Sequence, residues 1–257
     1  AKDGSGAFAR CKVRVVRKVT KITLNKYTAK LLVGKTLKLK AKVHPKNATI
    51  KSVAWSSSDN SIATVDASGR VQGLAAGMVK IRAKAKDGSG KSAVCLITVS
   101  DPIPATGVDV TNNDLIVAKG RQIQSGITIA PSNSTDKIKY YSDNPAVARI
   151  NKRGKIYANR VGQATVYGET SNGQVGYADV LVVTLNRRSL PLRLYDTETL
   201  RVNEISTGVT WHSQNPLIAS VDSTGKVVGR RRGVTRIYAT VRGLKLSCKV
   251  TVSDING

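Results

Sequence analysis

The chain has 257 residues, 40% of them apolar and 23% charged, a folding composition rather than a disordered one. Aromatics make up 4%, with one Phe and one Met, so Val, Ile, Leu, Thr and Ala must build the core, which favours strands over helices. No apolar run approaches the ~18 residues that cross a bilayer, and 42 Lys and Arg against 16 Asp and Glu leave a net charge of +26.

Such a charge attracts polyanions, and equally it makes a soluble, self-repelling surface with no dedicated ligand. It is spread unevenly: +12 over residues 19–100, +2 over 101–183 and +7 over 184–257. A nucleic-acid reader concentrates charge on one face or arm, so the near-neutral middle argues against a specific nucleic-acid partner.

In chain order, the first predicted element is "ARCKVRVV", with Cys11, Val13 and Val15 on one side and Arg10, Lys12 and Arg14 on the other. "TLKLKAKV" (36–43) follows the same period of two and reads as one strand. Leu37, Leu39, Ala41 and Val43 face inward, opposite Lys38, Lys40 and Lys42. "AVCLITV" and "LSCKVTV" repeat the pattern around Cys95 and Cys248. Turn signals at Ala67-Ser68-Gly69, Asp87-Gly88, Asn172-Gly173 and Arg242-Gly243 separate such segments. No helix-length amphipathic stretch intervenes.

Internal repetition organises these elements. The opening AKDGSG recurs letter for letter at 85–90, which sets Cys11 on Cys95. A longer pattern occurs three times without gaps: "WSSSDNSIATVDASGRVQGLAAG" from Trp55, "YYSDNPAVARINKRGKIYANRVG" from Tyr140 and "WHSQNPLIASVDSTGKVVGRRRG" from Trp211. Each opens on an aromatic, and an aliphatic–Ala pair follows seven residues on. One Gly stands at the fifteenth place (Gly69, Gly154, Gly225) and another closes the pattern (Gly77, Gly162, Gly233). The expected division is residues 1–18 as the last strands of a preceding, truncated repeat, then repeats at 19–100, 101–183 and 184–257. The third is shortened in front, with Leu200 matched to Leu37 and the loop "VHPKNATIK" missing.

About seven short strands per ~80 residues describe an all-β fold of tandem sandwiches. The aromatic at 55, 140 and 211 is then expected to plug the space between two sheets. "VTKITLNKYTAKLLVGKTLKLKAKV" followed by "WSSSDNSIATVDASGRVQGLAAGMVKIRAKAKDGSGKSAVCLITV" resembles the bacterial immunoglobulin-like domain of group 2, and the likeness covers almost the whole chain. The second repeat departs from it with Tyr140 for Trp and with Asp179 where the others carry Cys; the third departs in its front half. The resemblance implies Ig-like sandwiches in tandem on bacterial surface, adhesin-type or phage structural proteins. It brings no catalytic site.

The chemical motifs point the same way. Ala85, four residues, then Gly90-Lys91-Ser92 fit a loose phosphate-loop pattern, but a strand follows where a helix is required. His44 and His212 stand isolated, the three cysteines form no CxxC pair, and nothing nominates a catalytic, cofactor or metal site. One Cys per repeat reads as a buried small hydrophobe. The candidate contact surface is basic and anion-binding: Arg230, Arg231 and Arg232 before Gly233, Arg187 and Arg188 near the joint of repeats 2 and 3, and Lys38, Lys40 and Lys42. The lysines serve equally as edge protection.

The expected protein is thus non-catalytic and extracellular. It is a spacer segment of a bacterial surface protein, with its sandwiches in an elongated array. Two alternatives stand beside this reading: a polyanion-binding cell-wall module that holds teichoic acid or acidic glycan, and a self-associating filament or phage component. The expected partners are other domains of the same polypeptide, polyanionic glycans, or copies of itself.

Overall fold

The computed structural model describes residues 2, 4–6, 8–13 and 15–254. Every helix or strand element among them is a β-strand. The chain divides into two compact units, Ala1–Pro102 and Ile103–Gly257.

The first unit holds β1 (Lys21–Leu24), β2 (Thr28–Leu32), β3 (Thr36–Lys38), β4 (Ala41–His44), β5 (Val53–Ser57), β6 (Ala63–Val65), β7 (Arg70–Gly73), β8 (Gly77–Ala85) and β9 (Ser92–Ser100). They form a four-stranded sheet β2-β9-β8-β5, a three-stranded sheet β3-β7-β6 and the pair β1-β4. The first and last strands of the large sheet, β2 and β9, run parallel; the other pairs in that sheet are antiparallel. One core, including Leu39, Val71, Ile81, Cys95 and Ile97, lies between the layers.

The second unit repeats this plan twice. Its first half comprises β10 (Gly107–Val110), β11 (Asp114–Ala118), β12 (Gln122–Gln124), β13 (Ile127–Ala130), β14 (Ile138–Ser142), β15 (Ala148–Ile150), β16 (Lys155–Ala158), β17 (Gly162–Thr170) and β18 (Val175–Val183). Its second half comprises β19 (Ser189–Arg193), β20 (Thr197–Thr199), β21 (Thr210–Ser213), β22 (Ala219–Val221), β23 (Lys226–Gly229), β24 (Gly233–Val241) and β25 (Leu244–Ser253). The large sheets β11-β18-β17-β14 and β19-β25-β24-β21 again pair their first and last strands in parallel.

The aromatic and the fifteenth-place glycine of the repeated pattern touch each other. A Cβ on Gly69 would lie 2.7 Å from the Leu39 carbonyl oxygen and 2.9 Å from the Trp55 ring. On Gly225 it would run into the Leu200 carbonyl oxygen and lie 2.9 Å from the Trp211 ring. These glycines also hold φ of +82° and +84°, which side chains disfavour. The closing glycine answers to the aliphatic residue in the same way: a Cβ on Gly77 would lie 2.7 Å from Ile62. The fixed offsets are therefore contacts.

In the second repeat Tyr140 replaces Trp, and its hydroxyl donates to the Ile127 carbonyl at 2.9 Å. Ser125 stands where the other repeats have Leu39 and Leu200; its amide bonds the Gly154 carbonyl as theirs bond Gly69 and Gly225. Its hydroxyl accepts from the Ile127 amide at 3.2 Å. The polar exchange is thus paired within the core.

The structure corrects four local expectations. "TLKLKAKV" is two strands rather than one: β3 pairs with β7 and β4 with β1, with the break at Leu39 and Lys40. Asn25 bridges that break, its side chain accepting from the Lys40 amide at 2.7 Å and donating to the Lys38 carbonyl at 3.4 Å. Asn186 does the same with Arg201 and Thr199. Lys38, Lys40 and Lys42 do face solvent as expected.

Secondly, Leu200 corresponds to Leu39 rather than Leu37, since Leu39 and Leu200 both donate to the fifteenth-place glycine. The shortened front half leaves the single bridge Leu185–Val202 in place of the β1-β4 pair. Thirdly, the residue matching Cys95 and Cys248 is Ala178, not Asp179. Cys95 pairs with Ile81, Cys248 with Ile237 and Ala178 with Val166, each four residues past the closing glycine. The hairpin tips differ in length, which displaces any match counted from the aromatic. Asp179 is exposed and accepts from the Thr165 hydroxyl at 2.8 Å.

Finally, the described residues of 8–18 form no strand, and Cys11, Val13 and Val15 are exposed. A strand needs a run of neighbours for its amides and a second layer for its apolar side. At Arg17 the segment is tied to Thr49, whose hydroxyl takes the Arg17 amide and whose amide donates to the Arg17 carbonyl, but the apolar Val13 and Val15 are left in solvent. Arg14 lies outside the described residues. The assignment of 1–18 to an earlier repeat rests on the recurrence of AKDGSG alone.

Aspartates fasten the turns. Asp66 accepts from Ser68 and Arg70, and Asp222 from Thr224 and Lys226. Asp87 accepts from the Val19 amide and, in the next repeat, Asp136 accepts from the equivalent Ala105 amide. The hydrogen bonds from Ser68, Thr224 and Ser89 and from the Ala105 amide, the largest causes respectively, hold Asp66, Asp222, Asp87 and Asp136 below the usual carboxylate range.

Two outcomes follow. Gly225→Ala should lower the unfolding free energy by about 2–4 kcal/mol, from backbone strain plus the clash with Trp211. Gly208→Ala, at φ +74° but with open space around it, should cost only about 1 kcal/mol; denaturant titration separates the two. The carboxyls are depressed in the fold, so their stabilisation is complete above the unfolded range near pH ~4 and disappears as pH falls through the folded values. The denaturation midpoint should therefore drop in acid, and Asp66→Asn with Asp222→Asn should shrink that drop.

Candidate functional site

The basic residues singled out in the sequence fall in different places. Arg230, Arg231 and Arg232 form the exposed turn between β23 and β24, where the amides of Arg230 and Arg231 donate to the Ile218 carbonyl. Leu74 and Ala75 make the same bonds to Ile62, and Asn159 and Arg160 to Val147, so the turn is a repeat feature. Arg230 donates to the Ser220 hydroxyl at 3.1 Å and Arg232 pairs with Asp254 at 3.4 Å. The three do not converge on a cleft. Arg187 pairs with Glu198 at 3.7 Å. Lys38 donates to Ser68 at 2.7 Å, and Lys40 and Lys42 point to solvent along a broken strand.

Arg188 alone reaches a concave site. Inside the second unit, a cleft of about 530 Å³ opens between the β11–β12 turn (Ala118, Lys119, Gly120, Arg121) and the outer side of the last sheet (Arg188, Arg236, Lys245, Leu246, Ser247), floored by Thr184 and Leu185. Five of its lining residues are cations and none is acidic. Sequence reading missed Lys119, Arg121, Arg236 and Lys245. Lys119 and Arg121 sit singly in a turn and Arg236 and Lys245 singly in alternating strands; the register of β24 on β25, with Arg236 opposite Lys249 and Lys245 opposite Thr240, puts the last two on one side.

Next to this cleft the joint carries the opposite charge. Arg242, at the β24–β25 tip with φ +44°, donates to Asp114 at the start of β11. Asp143 and Asp179 line the same recess. Asp143 accepts from the Thr165 amide at 2.8 Å. Both members of the Arg242–Asp114 pair are about half exposed, so the bond adds roughly 0–1 kcal/mol and chiefly orients the hairpin.

Tyr141, Tyr167 and Tyr177 form a row across β14, β17 and β18. The first two rings stack at 5.0 Å and 13°, and the third tilts at 6.3 Å. The stacked pair and the tilted third ring support the sheet across its strands.

The phosphate-loop pattern lies in the β8–β9 hairpin. Ser92 begins β9 instead of a helix, and the Ser89 amide is taken by Asp87. Cys95 and Cys248 are buried free thiols and Cys11 is exposed. Burial pushes the Cys248 thiol up to about 11, against a smaller opposing pull from Arg187, and raises Cys95 likewise. Among the described residues no group of three or more His, Cys, Asp and Glu is placed to hold a metal ion, and no helix is long and apolar enough to cross a membrane.

A tandem array of Ig-like β-sandwiches is the class these sheets and cores define. The profile of the family "Bacterial Ig-like domain (group 2)" matches residues 18–95 and 104–178. The chain belongs to that family. It is similar to an uncharacterized protein of Clostridium acetobutylicum, 32% identical over 179 residues, which covers 65% of this chain and 17% of that protein. It is also similar to an Ig-like virion protein of Serratia phage KSP90, 30% identical over 171 residues, covering 65% of this chain and 66% of that one. A 3-O-alpha-D-galactosyl-alpha-L-arabinofuranosidase of Bifidobacterium longum is 44% identical over 73 residues, 28% of this chain but 6% of the enzyme. That likeness is confined to Ig-like sequence. The chain thus spans less than two thirds of the length of each of these relatives.

The thiol environments predict a reactivity order. A thiol reagent at neutral pH should label Cys11 at once, and Cys95 and Cys248 only after denaturant unfolds their sandwiches. Fast labelling of all three in the native protein would contradict the burial.

Proposed function

We propose that this chain is a non-catalytic spacer segment of an extracellular bacterial surface protein, joining or projecting the parts that do the binding. The observation that carries this reading is the joint inside the second unit. Val182 belongs to the core of the second repeat and its neighbour Val183 to the core of the third. β18 therefore runs from one sandwich into the next with no linker. The Arg242–Asp114 bond adds a lateral tie. Joints without slack keep domains at fixed spacing, which is what a spacer requires.

A second reading, a component of a phage particle that packs against copies of itself, is favoured by the likeness to the Serratia phage virion protein. Strict monomer behaviour at high concentration in sedimentation would remove its support.

The spacer reading requires extension. At roughly 40 Å per sandwich, three in line give a maximum dimension on the order of 100 Å or more in small-angle scattering. A radius of gyration near ~18 Å, that of a compact globule of this length, would overturn it.

A further inference from the structure

We propose that the cleft between the β11–β12 turn and the β19-β25-β24-β21 sheet is a binding site for the sulfate or phosphate groups of a linear polyanion with a sugar or polyol backbone. Lys119 and Arg121 approach from one repeat, and Arg188, Arg236 and Lys245 from the next. Among the described residues none of the five forms an ion pair, whereas Arg242, in the adjacent recess, is met by Asp114. Five exposed like charges around one concavity repel one another, and the field they focus is relieved by an anion.

The set is peculiar to this joint. Backbone pairing places Tyr27 and Asn113 where the third repeat has Arg188, Lys80 and Thr165 where it has Arg236, and Ser92 and Val175 where it has Lys245. The positions of Arg236 and Arg121 are also cationic in the first repeat, as Lys80 and Lys35, but Arg188 and Lys245 have no charged counterpart, so the full set is not a by-product of the repeated pattern. Three of the five are arginines, whose planar forks bind tetrahedral oxyanions with paired hydrogen bonds. Thr184 and Ser247 supply hydroxyls on the floor and wall, suited to a sugar or polyol. No aromatic residue lines the cleft, and the neighbouring Tyr238 ring is covered by the Lys245 ammonium at 3.9 Å, so the cleft itself offers a base none of the stacking surface that single-stranded nucleic acid uses.

The site is distinct from the Arg230–Arg231–Arg232 turn, and this supplies the control. Binding of a heparin-derived octasaccharide and of poly(glycerol phosphate) to the full chain is measured by calorimetry at low and moderate salt. Two triple variants are compared: Arg188→Ser with Arg236→Ser and Lys245→Ser, and Arg230→Ser with Arg231→Ser and Arg232→Ser. Both remove the same charge. The cleft triple should weaken binding by about tenfold or more, and the turn triple by no more than about threefold.

The thermal midpoints of both variants verify folding, and amide shifts at Thr184 and Ser247 in the unaltered chain locate the ligand without any substitution. Comparison of the two probes tells sulfate from phosphate as the preferred group. Equal losses in the two variants, absence of binding by either probe at ~20 mM salt, or tighter binding of a single-stranded oligonucleotide of equal charge would each overturn the proposal.

Discussion

The contact between one aromatic ring and one glycine, made in each repeat, is what the rest of the sandwich depends on. Gly69, Gly154 and Gly225 sit against Trp55, Tyr140 and Trp211, leaving no room for a Cβ at the first and third and little at the second. The same glycines accept the amides of Leu39, Ser125 and Leu200, the residues at which the chain leaves one sheet for another. Ring, turn and crossover are thus one device: the ring fills the interlayer space, the turn passes beneath it, and the crossover amide is satisfied by the turn's carbonyl. A buried backbone break would otherwise carry unpaired polar groups. Asn25 and Asn186 complete the pairing from the side chain.

Much of this was legible because contacts of fixed geometry leave fixed offsets. The aromatic, the aliphatic–Ala pair and the two glycines identify three equivalent units, and period-two alternation correctly predicts inward Cys95 and Cys248. What failed shares a cause. A period of two shows which side of the chain is apolar but not which neighbour it pairs with, so the break at Leu39 and the bareness of Cys11 were invisible. Register across a hairpin depends on tip length, so Ala178 was hidden behind Asp179.

The basic cleft was illegible for a related reason. Runs such as Arg230–Arg232 attract the eye, yet adjacent residues in a turn diverge into solvent. Convergence is produced by pairing across strands and by apposition of two repeats, as with Arg236, Lys245, Arg121 and Lys119. Arg188 was singled out for its place beside the joint, and that is the property that matters. Neighbouring recesses of the joint differ because Asp114, Asp143 and Asp179 all fall on the side of Arg242.

The parallel pairing of the first and last strands of each large sheet, β2 with β9, β11 with β18 and β19 with β25, has a mechanical meaning. Where the chain is pulled from its two ends, such strands are drawn in opposite directions along their own length. Their hydrogen bonds are then loaded together in shear instead of being peeled one at a time. Since β18 passes directly into the following core, tension crosses that joint through a continuous strand. A chain built this way opposes tension more strongly than one whose end strands would be peeled apart bond by bond.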